Sequence, residues 1–417
     1  MTGSLPPYHI DVCDTARREP GMMVFNVRPG GRADNTVGSG WLLGVDQRGG
    51  IALNYSGGEP VQDNRRLPNG NVIFSETGIG RIYEMTLDGE IVRHWYVAGK
   101  WRDKEPPEGG IPIDLPLTHH AINMLGNGNL LLMSAEVRTF DDWPGSETDP
   151  GAPPETANVV GDIICEVTPG GAVVNRWRIL DMLDPYRMCY GSRSGYWRGR
   201  GFADSFDWCH ANATAEDPRD GGILVSLRTQ DCIIKFDRAS GEVMWILGTH
   251  DNWRPPWSEK LLQPVGDVGW QFHQHDCSVT PSGTVMCFDN GNFRATPFDP
   301  GIPAEENTSR AVEFRIDEDA MTVEQVWSYG DAPEERLYAT YQCGAFRLPG
   351  TGNTFITYGG IVTRDGVPHM DVEAGFCRAR LIEVTPDKEI VFDMWIEDTG
   401  PDPMPLSAFR AEHFPEA

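Results

Sequence analysis

Arg81-Ile-Tyr-Glu-Met-Thr-Leu-Asp-Gly-Glu-Ile-Val-Arg-His-Trp95 reads as an alternating strand, a turn centred on glycine, and a return strand that closes on tryptophan. The same shape recurs at 163–177 (IICEVTPGGAVVNRW), 233–245 (IIKFDRASGEVMW), 312–327 (VEFRIDEDAMTVEQVW) and 380–395 (RLIEVTPDKEIVFDMW). A sixth copy at 40–55 (GWLLGVDQRGGIALNY) carries Tyr55 where the others carry tryptophan. Ahead of five copies lies a second turn signal: Leu67-Pro-Asn-Gly-Asn71, Leu125-Gly-Asn-Gly-Asn129, Asp220-Gly-Gly222, Thr280-Pro-Ser-Gly283 and Gly350-Thr-Gly-Asn353. Two hairpins per unit make a four-stranded antiparallel sheet, and such sheets repeated along one chain are the signature of a β-propeller. The expected fold is therefore all-β, a single domain over residues 1–417 with six four-stranded blades. The first copy lacks its front hairpin. Gly21-Met-Met-Val-Phe-Asn-Val27 and Ala408-Phe-Arg-Ala-Glu-His-Phe414 can supply the missing strands, closing the ring by pairing the two chain ends and removing open sheet edges. Trp95, Trp177, Trp245, Trp327 and Trp395 hold one position in the repeat and read as packing between blades.

Composition agrees with many short strands and tight turns: 47 Gly, 32 Pro and 13 Trp in 417 residues, without long amphipathic helices. A formal charge of −26 opposes binding to nucleic acid or to an anionic membrane. No apolar run has membrane-spanning length. The first residues lack a basic segment followed by an apolar stretch, so they do not read as a secretion signal. Nine cysteines are scattered without a CxxC pair, which fits reduced thiols and a cytoplasmic location.

The repeat also places histidines. Thr118-His119-His120-Ala121, Trp208-Cys209-His210-Ala211-Asn212 and Phe272-His273-Gln274-His275-Asp276 each open a run leading into a front turn. His120 precedes Gly128 by eight residues, as His275 precedes Gly283; His210 precedes Gly222 by twelve. In a propeller the first strand of each blade lines the central channel, so residues in phase with the repeat meet at one mouth. Gln62 and the 342–344 segment fall in the same phase. Several titratable groups gathered in a cleft are a poor way to build stability and point to function.

These motifs resemble the arylsulfate sulfotransferase family, propeller enzymes that move a sulfuryl group between phenols through a sulfohistidine. The resemblance is sharpest in Cys209-His-Ala-Asn212, Ser226-Leu-Arg-Thr-Gln-Asp231 with Ile233-Ile-Lys-Phe-Asp237, and His273-Gln-His-Asp276 with Phe288-Asp-Asn-Gly291. It implies a catalytic set of His120, His210, Asn212, Arg228 and His275, with His275 as nucleophile. A neutral imidazole can attack sulfur and pass the group on without a metal. Arg228 offers a fork of donors to sulfate oxygens, His120 and Asn212 stabilise developing charge, and His210 serves as acid and then base. Asp276 stands next to the nucleophile as a candidate for fixing its tautomer.

The substrate expected is a small aromatic or phenolic compound, with His119, His273, Gln62, Trp208, Tyr341 and Arg198 as binding candidates and no cofactor. The alternative is a divalent first-row metal held by His120, His210 and His275, which would support a lyase or hydrolase. A non-catalytic propeller would need no histidines in register. Two insertions interrupt the repeat. Residues 184–206, rich in tyrosine, tryptophan and arginine, precede His210 and are expected over the channel mouth, with their arginines either holding an anionic or aromatic ligand or pairing with acidic neighbours. Residues 140–157 (FDDWPGSETDPGAPPETA) are acidic and proline-rich and read as a solvated loop. His369 can reach the mouth from a late loop. His9, His94, His250 and His413 lie outside the phased positions.

Overall fold

A computed structural model describes residues 4–30, 40–373 and 375–416. Among them the strands form six sheets, each with a core of four antiparallel strands, laid down in chain order in all but the first. Sheet 3 runs His119–Met124, Leu130–Trp143, Glu155–Val167, Val173–Arg178; sheet 4 runs Ala211–Glu216, Ile223–Leu227, Cys232–Phe236, Val243–Gly248. Sheets 2, 5 and 6 begin with Asp63–Arg66, His275–Val279 and Gly344–Arg347, and their first strands run beside those of neighbouring sheets. No described helix is long and apolar enough to cross a membrane.

Sheet 1 is assembled from both ends of the chain. Met22–Pro29 pairs antiparallel with Ala411–Phe414, in register Met22 to Phe414 and Phe25 to Ala411. A further strand, Tyr8–Cys13, adds to the outer edge of sheet 6 through Ile390–Ile396. Its short polar alternation carries no repeat signal, and the repeat reading did not include it.

The recurring hairpin folds the same way in all six sheets. Its register slips by one residue just before the turn, at Glu84/Met85, Glu166/Val167, Lys235/Phe236, Glu313/Phe314, Glu383/Val384 and Gly44/Val45. Such a bulge sharpens the strand twist, which is what fans one sheet against the next. Middle strands are buried on both faces, as in Ile223–Leu227 and Cys232–Phe236, so they are mostly apolar, interrupted there only by Ser226 and Lys235.

Separate apolar clusters join each sheet to the next. Ile82, Trp95 and Leu130 sit between sheets 2 and 3, and Leu224, Trp245 and Phe314 between sheets 4 and 5. Another, with Phe25, Leu43, Phe355 and Leu381, joins sheet 6 back to sheet 1. Each such side chain, fully buried, contributes about 1.5–3 kcal/mol. Trp95, Trp177 and Trp245 are buried in these seams, whereas Trp327 and Trp395 lie half-buried at the seam edge under Arg347 and Arg378.

At the centre the first strands are tied by charge. Arg410, just before the last strand, is 1% exposed. It donates from Nε and Nη2 to Asp63 at 2.8 and 2.6 Å and from Nη1 to Asp276 at 2.8 Å. Burial opposes the charge, but Asp63 and Asp276 outweigh it and hold the guanidinium above its ordinary pKa. Asp63 also accepts the Ile122 N–H at 2.8 Å, so sheets 1, 2, 3 and 5 meet at one guanidinium. Arg410→Met leaves buried Asp63 without its cation, and Asp276 with only Arg65 at 3.8 Å, and should destabilise the fold by about 3–5 kcal/mol at neutral pH, read from urea denaturation.

Candidate active site

Gln62, His119, His120, His210, Arg228, His275 and Tyr341 line one cavity of about 1060 Å³ at the ends of the first strands. The strands are shaped for this. Register breaks between His119 and Ile122, between Ala211 and Ala213, and between His275 and Ser278. A bulge there re-aims a side chain that regular pleating would send into a sheet seam. At His120 and His210 the backbone is left-handed, with φ of 48° and 45°. Each such non-glycine residue costs on the order of 1–3 kcal/mol and persists where the surroundings demand it.

The hydrogen bonds define what each ring presents. His275 Nδ1 faces Asn290 Oδ1 at 2.8 Å, and the Asn290 amide is oriented by its Nδ2 donating to the Ala339 carbonyl at 2.8 Å. Nδ1 therefore carries the proton and Nε2 the lone pair, which accepts the Gln342 N–H at 3.2 Å. Burial, then the Arg228 charge, hold His275 well below the ordinary histidine range. His210 donates Nδ1–H to Asp207 in a short contact, and Asp207 also accepts Trp197 Nε1–H at 2.7 Å.

His120 is bound Nδ1 to Nδ1 to His119 at 2.8 Å, and His119 Nε2 lies 3.2 Å from the Ser134 carbonyl and 3.1 Å from Asp162 Oδ1. One proton sits between the two rings, so His120 presents only Nε2 to the cavity. Burial and the neighbouring His210 keep its pKa well below the usual value. The His120 and His210 rings are 4.8 Å apart, and Phe409 lies 6.0 and 6.4 Å from the His120 and His275 rings, with its own ring against the Arg410 guanidinium.

Arg228 follows Ile223–Leu227 in a one-turn helix, at the end of that strand. Antiparallel pairing sets it beside His210, whose carbonyl accepts its N–H at 3.2 Å. Among the described residues its guanidinium makes no hydrogen bond or ion pair, although the buried Asp207 and Asp231 act on it at longer range. A planar cation thus opens onto two buried neutral imidazoles.

Four expected site residues do not border the cavity. Asn212 is fully buried, with Nδ2 spent on the carbonyl of Gln274, the residue before His275, at 2.8 Å. Trp208 is a core residue donating to the Arg187 carbonyl. His273 is buried 3.0 Å from Asp231. Arg198 is exposed and tied to the Ser205 carbonyl. In each case strand alternation or a local bond turns the side chain away. Asp276 serves Arg410, and Asn290 takes the place expected of it beside His275. His369 bonds its own turn at Asp371, while Val372 and Glu373 reach the cavity.

The 184–206 insertion borders the cavity through Gly195, Tyr196, Trp197, Gly199 and Arg200. Its other arginines are structural: Arg187 bonds Gln230, and Arg193 pairs with Glu155. The acidic insertion is not a free loop. Its ends extend a long hairpin, Trp143 is buried, and Glu147 accepts the Gly191 and Arg193 N–H groups at 3.0 Å, bracing the 184–206 segment. Arg28, Lys100 and Arg200 are cavity cations without a repeat signal.

The nitrogens of the three histidines do not belong to a set within 4.8 Å of one another. The described group that does, Asp217, Asp220 and Glu318, encloses the Lys235 ammonium at 2.8, 2.6 and 2.7 Å.

His120 and His275 carry depressed pKa values in the folded state, so their contribution to stability is complete above the unfolded value near 6.5 and is lost as pH falls. Between pH 7.5 and 5.5 the protein should lose up to about 1.4 kcal/mol per pH unit per histidine. The His120→Gln/His275→Gln variant should show a shallower loss by urea denaturation over that window.

Comparison with known proteins follows the same line. The family model for arylsulfotransferase (ASST) matches residues 16–402. The arylsulfate sulfotransferase AssT of Escherichia coli O6:H1 is 30% identical over 246 residues, covering 49% of this chain and 40% of that protein. The AssT of Lelliottia amnigena is 28% identical over 294 residues, 60% of this chain and 46% of that protein. The matches thus span less than half the length of either relative. Among solved structures, virginiamycin B lyase from Staphylococcus aureus (10% identity, TM-score 0.39, 93% of this chain and 99% of that one) is a distant likeness. A putative 6-phosphogluconolactonase from Bacteroides uniformis (10%, TM-score 0.42, 92% and 85%) is another, and neither carries functional weight. With a family match that runs nearly end to end, the chain belongs to the arylsulfotransferase family.

Proposed function

We propose that the six sheets are the blades of a closed propeller and that the cavity at its mouth transfers a sulfuryl group from an aryl sulfate to a phenol through His275. The cycle of inter-sheet clusters and the pairing of the chain ends support the first part. The observation that carries the second is the unpartnered Arg228 guanidinium facing a neutral imidazole whose lone pair is set by Asn290.

Arg228 binds the sulfate oxygens by charge-assisted hydrogen bonds and stabilises charge as the transition state forms. His275 Nε2 displaces the Gln342 N–H and attacks sulfur. The N–S bond forms as the S–O bond to the aryl group breaks, and the phenolate takes a proton from His210 Nε2, whose imidazolium is compensated by Asp207. In the return half, neutral His210 removes the acceptor's proton, the new phenolate attacks sulfur, and the N–S electron pair goes back to Nε2. Tyr196, Trp197 and Tyr341 supply aromatic walls for the ring. No metal is invoked: the histidine nitrogens do not converge as a ligand set, and a cation would face Arg228. Nine unpaired cysteines, eight of them buried, accord with a reducing compartment such as the cytoplasm.

His275→Ala should reduce transfer from para-nitrophenyl sulfate to a phenol by roughly three orders of magnitude or more, while wild-type enzyme quenched with donor carries the sulfuryl group on His275 by mass spectrometry. An unmodified His275 in an active enzyme rules out this route. Arg228→Lys keeps the charge but not the fork and should raise KM for the donor by about tenfold in steady-state assays.

A further inference from the structure

The rim of the cavity carries two cations that sulfuryl binding does not use. Lys100 and Arg200, both half-buried, line it from different elements: Lys100 from the turn after Ile91–Val97, Arg200 from the 184–206 insertion. Lys100 makes no hydrogen bond or ion pair among the described residues. The charges that act on it are Lys104 and Arg200, which, after burial, push its pKa down. Arg200 donates to the Tyr196 carbonyl at 2.6 Å and stacks 3.9 Å from that ring, with no carboxylate partner among the described residues. Glu59 and Glu373 also line the cavity, yet neither pairs with these cations. Like charges gathered in a partly desolvated wall are unfavourable, and in a chain of net charge −26 counter-charges abound elsewhere. A ligand anion relieves that repulsion.

Position gives the class of ligand. The Tyr196 ring is 4.5 Å from the His210 ring and 3.9 Å from the Arg200 guanidinium, so the rim cation lies one aromatic ring away from the histidines. We propose that Lys100 and Arg200 form a second anion subsite that selects phenolic substrates bearing an acidic group across the ring from the sulfated oxygen. The proposal rests on the reading of the cavity as an aryl sulfate site. Arg228 then holds the sulfate and the rim pair holds the second acid.

The test compares para-sulfooxybenzoate with its neutral methyl ester, which share the reacting centre. Wild-type enzyme should favour the acid in kcat/KM by about tenfold at low salt, with the preference shrinking as ionic strength rises. Lys100→Met/Arg200→Met should bring the ratio of the two donors to about one or below, chiefly through KM. A ratio unchanged by the substitutions, or a wild type that prefers the ester, overturns the proposal. Calorimetric binding of para-hydroxybenzoate and its methyl ester separates the two readings, because it requires no sulfuryl transfer. Tighter binding of the acid, lost in the double variant, upholds the subsite even if neither donor is turned over; that outcome counts against the transfer reading alone. Equal binding of acid and ester overturns the subsite whatever the turnover.

Discussion

One guanidinium at the axis holds the first strands in place. Arg410 comes from the C-terminal segment that completes sheet 1, and its carboxylate partners come from sheets 2 and 5, which are not adjacent. A buried cation between two buried anions adds little net stability, because desolvation offsets most of the attraction. It does penalise every arrangement that leaves one partner alone. The strand ends are thereby fixed relative to one another by directional bonds as well as by the apolar seams. Phe409, the residue before Arg410, is held next to the His120 and His275 rings.

The site separates its histidines by their partners. His275 is paired with a neutral amide, His210 with a carboxylate and His120 with another imidazole. The amide oxygen of Asn290 fixes the His275 tautomer so that Nε2 keeps its lone pair, and the Asp207 carboxylate likewise orients the His210 ring. Equal residue types at equivalent positions of a repeat thus acquire different chemistry from residues outside the repeat.

The charge distribution follows the same logic on a larger scale. The chain is strongly acidic, yet the cavity gathers Arg28, Arg228, Lys100 and Arg200 against Glu59 and Glu373. An excess of cations favours negative charge in the cavity, which Tyr196 and Trp197 of the 184–206 insertion border. That segment depends on the acidic insertion, whose Glu147 anchors the backbone at Gly191 and Arg193.

The repeat of strand, glycine turn and tryptophan is local, so it was legible: the all-β class, the hairpins and the phase that brings His120, His210 and His275 together follow from period and spacing. Arg228 and the aromatic insertion were legible too, as a motif and a compositional anomaly beside His210. Direction was not. Bulges and left-handed residues decide which side chains leave the pleat, so Asn212, Trp208 and His273 turned into the wall although they neighbour cavity residues in the chain. Contacts made across sheets were hidden as well. Asn290 and Asp207 stood within quoted or adjacent segments without a sign of their roles, and Lys100, Arg28 and Arg410 come from turns and ends whose positions only the packed sheets define. Sequence determined the period because hydrophobic alternation is written residue by residue; tertiary structure alone decided hydrogen-bond partners and protonation, because those depend on groups brought together from distant parts of the chain.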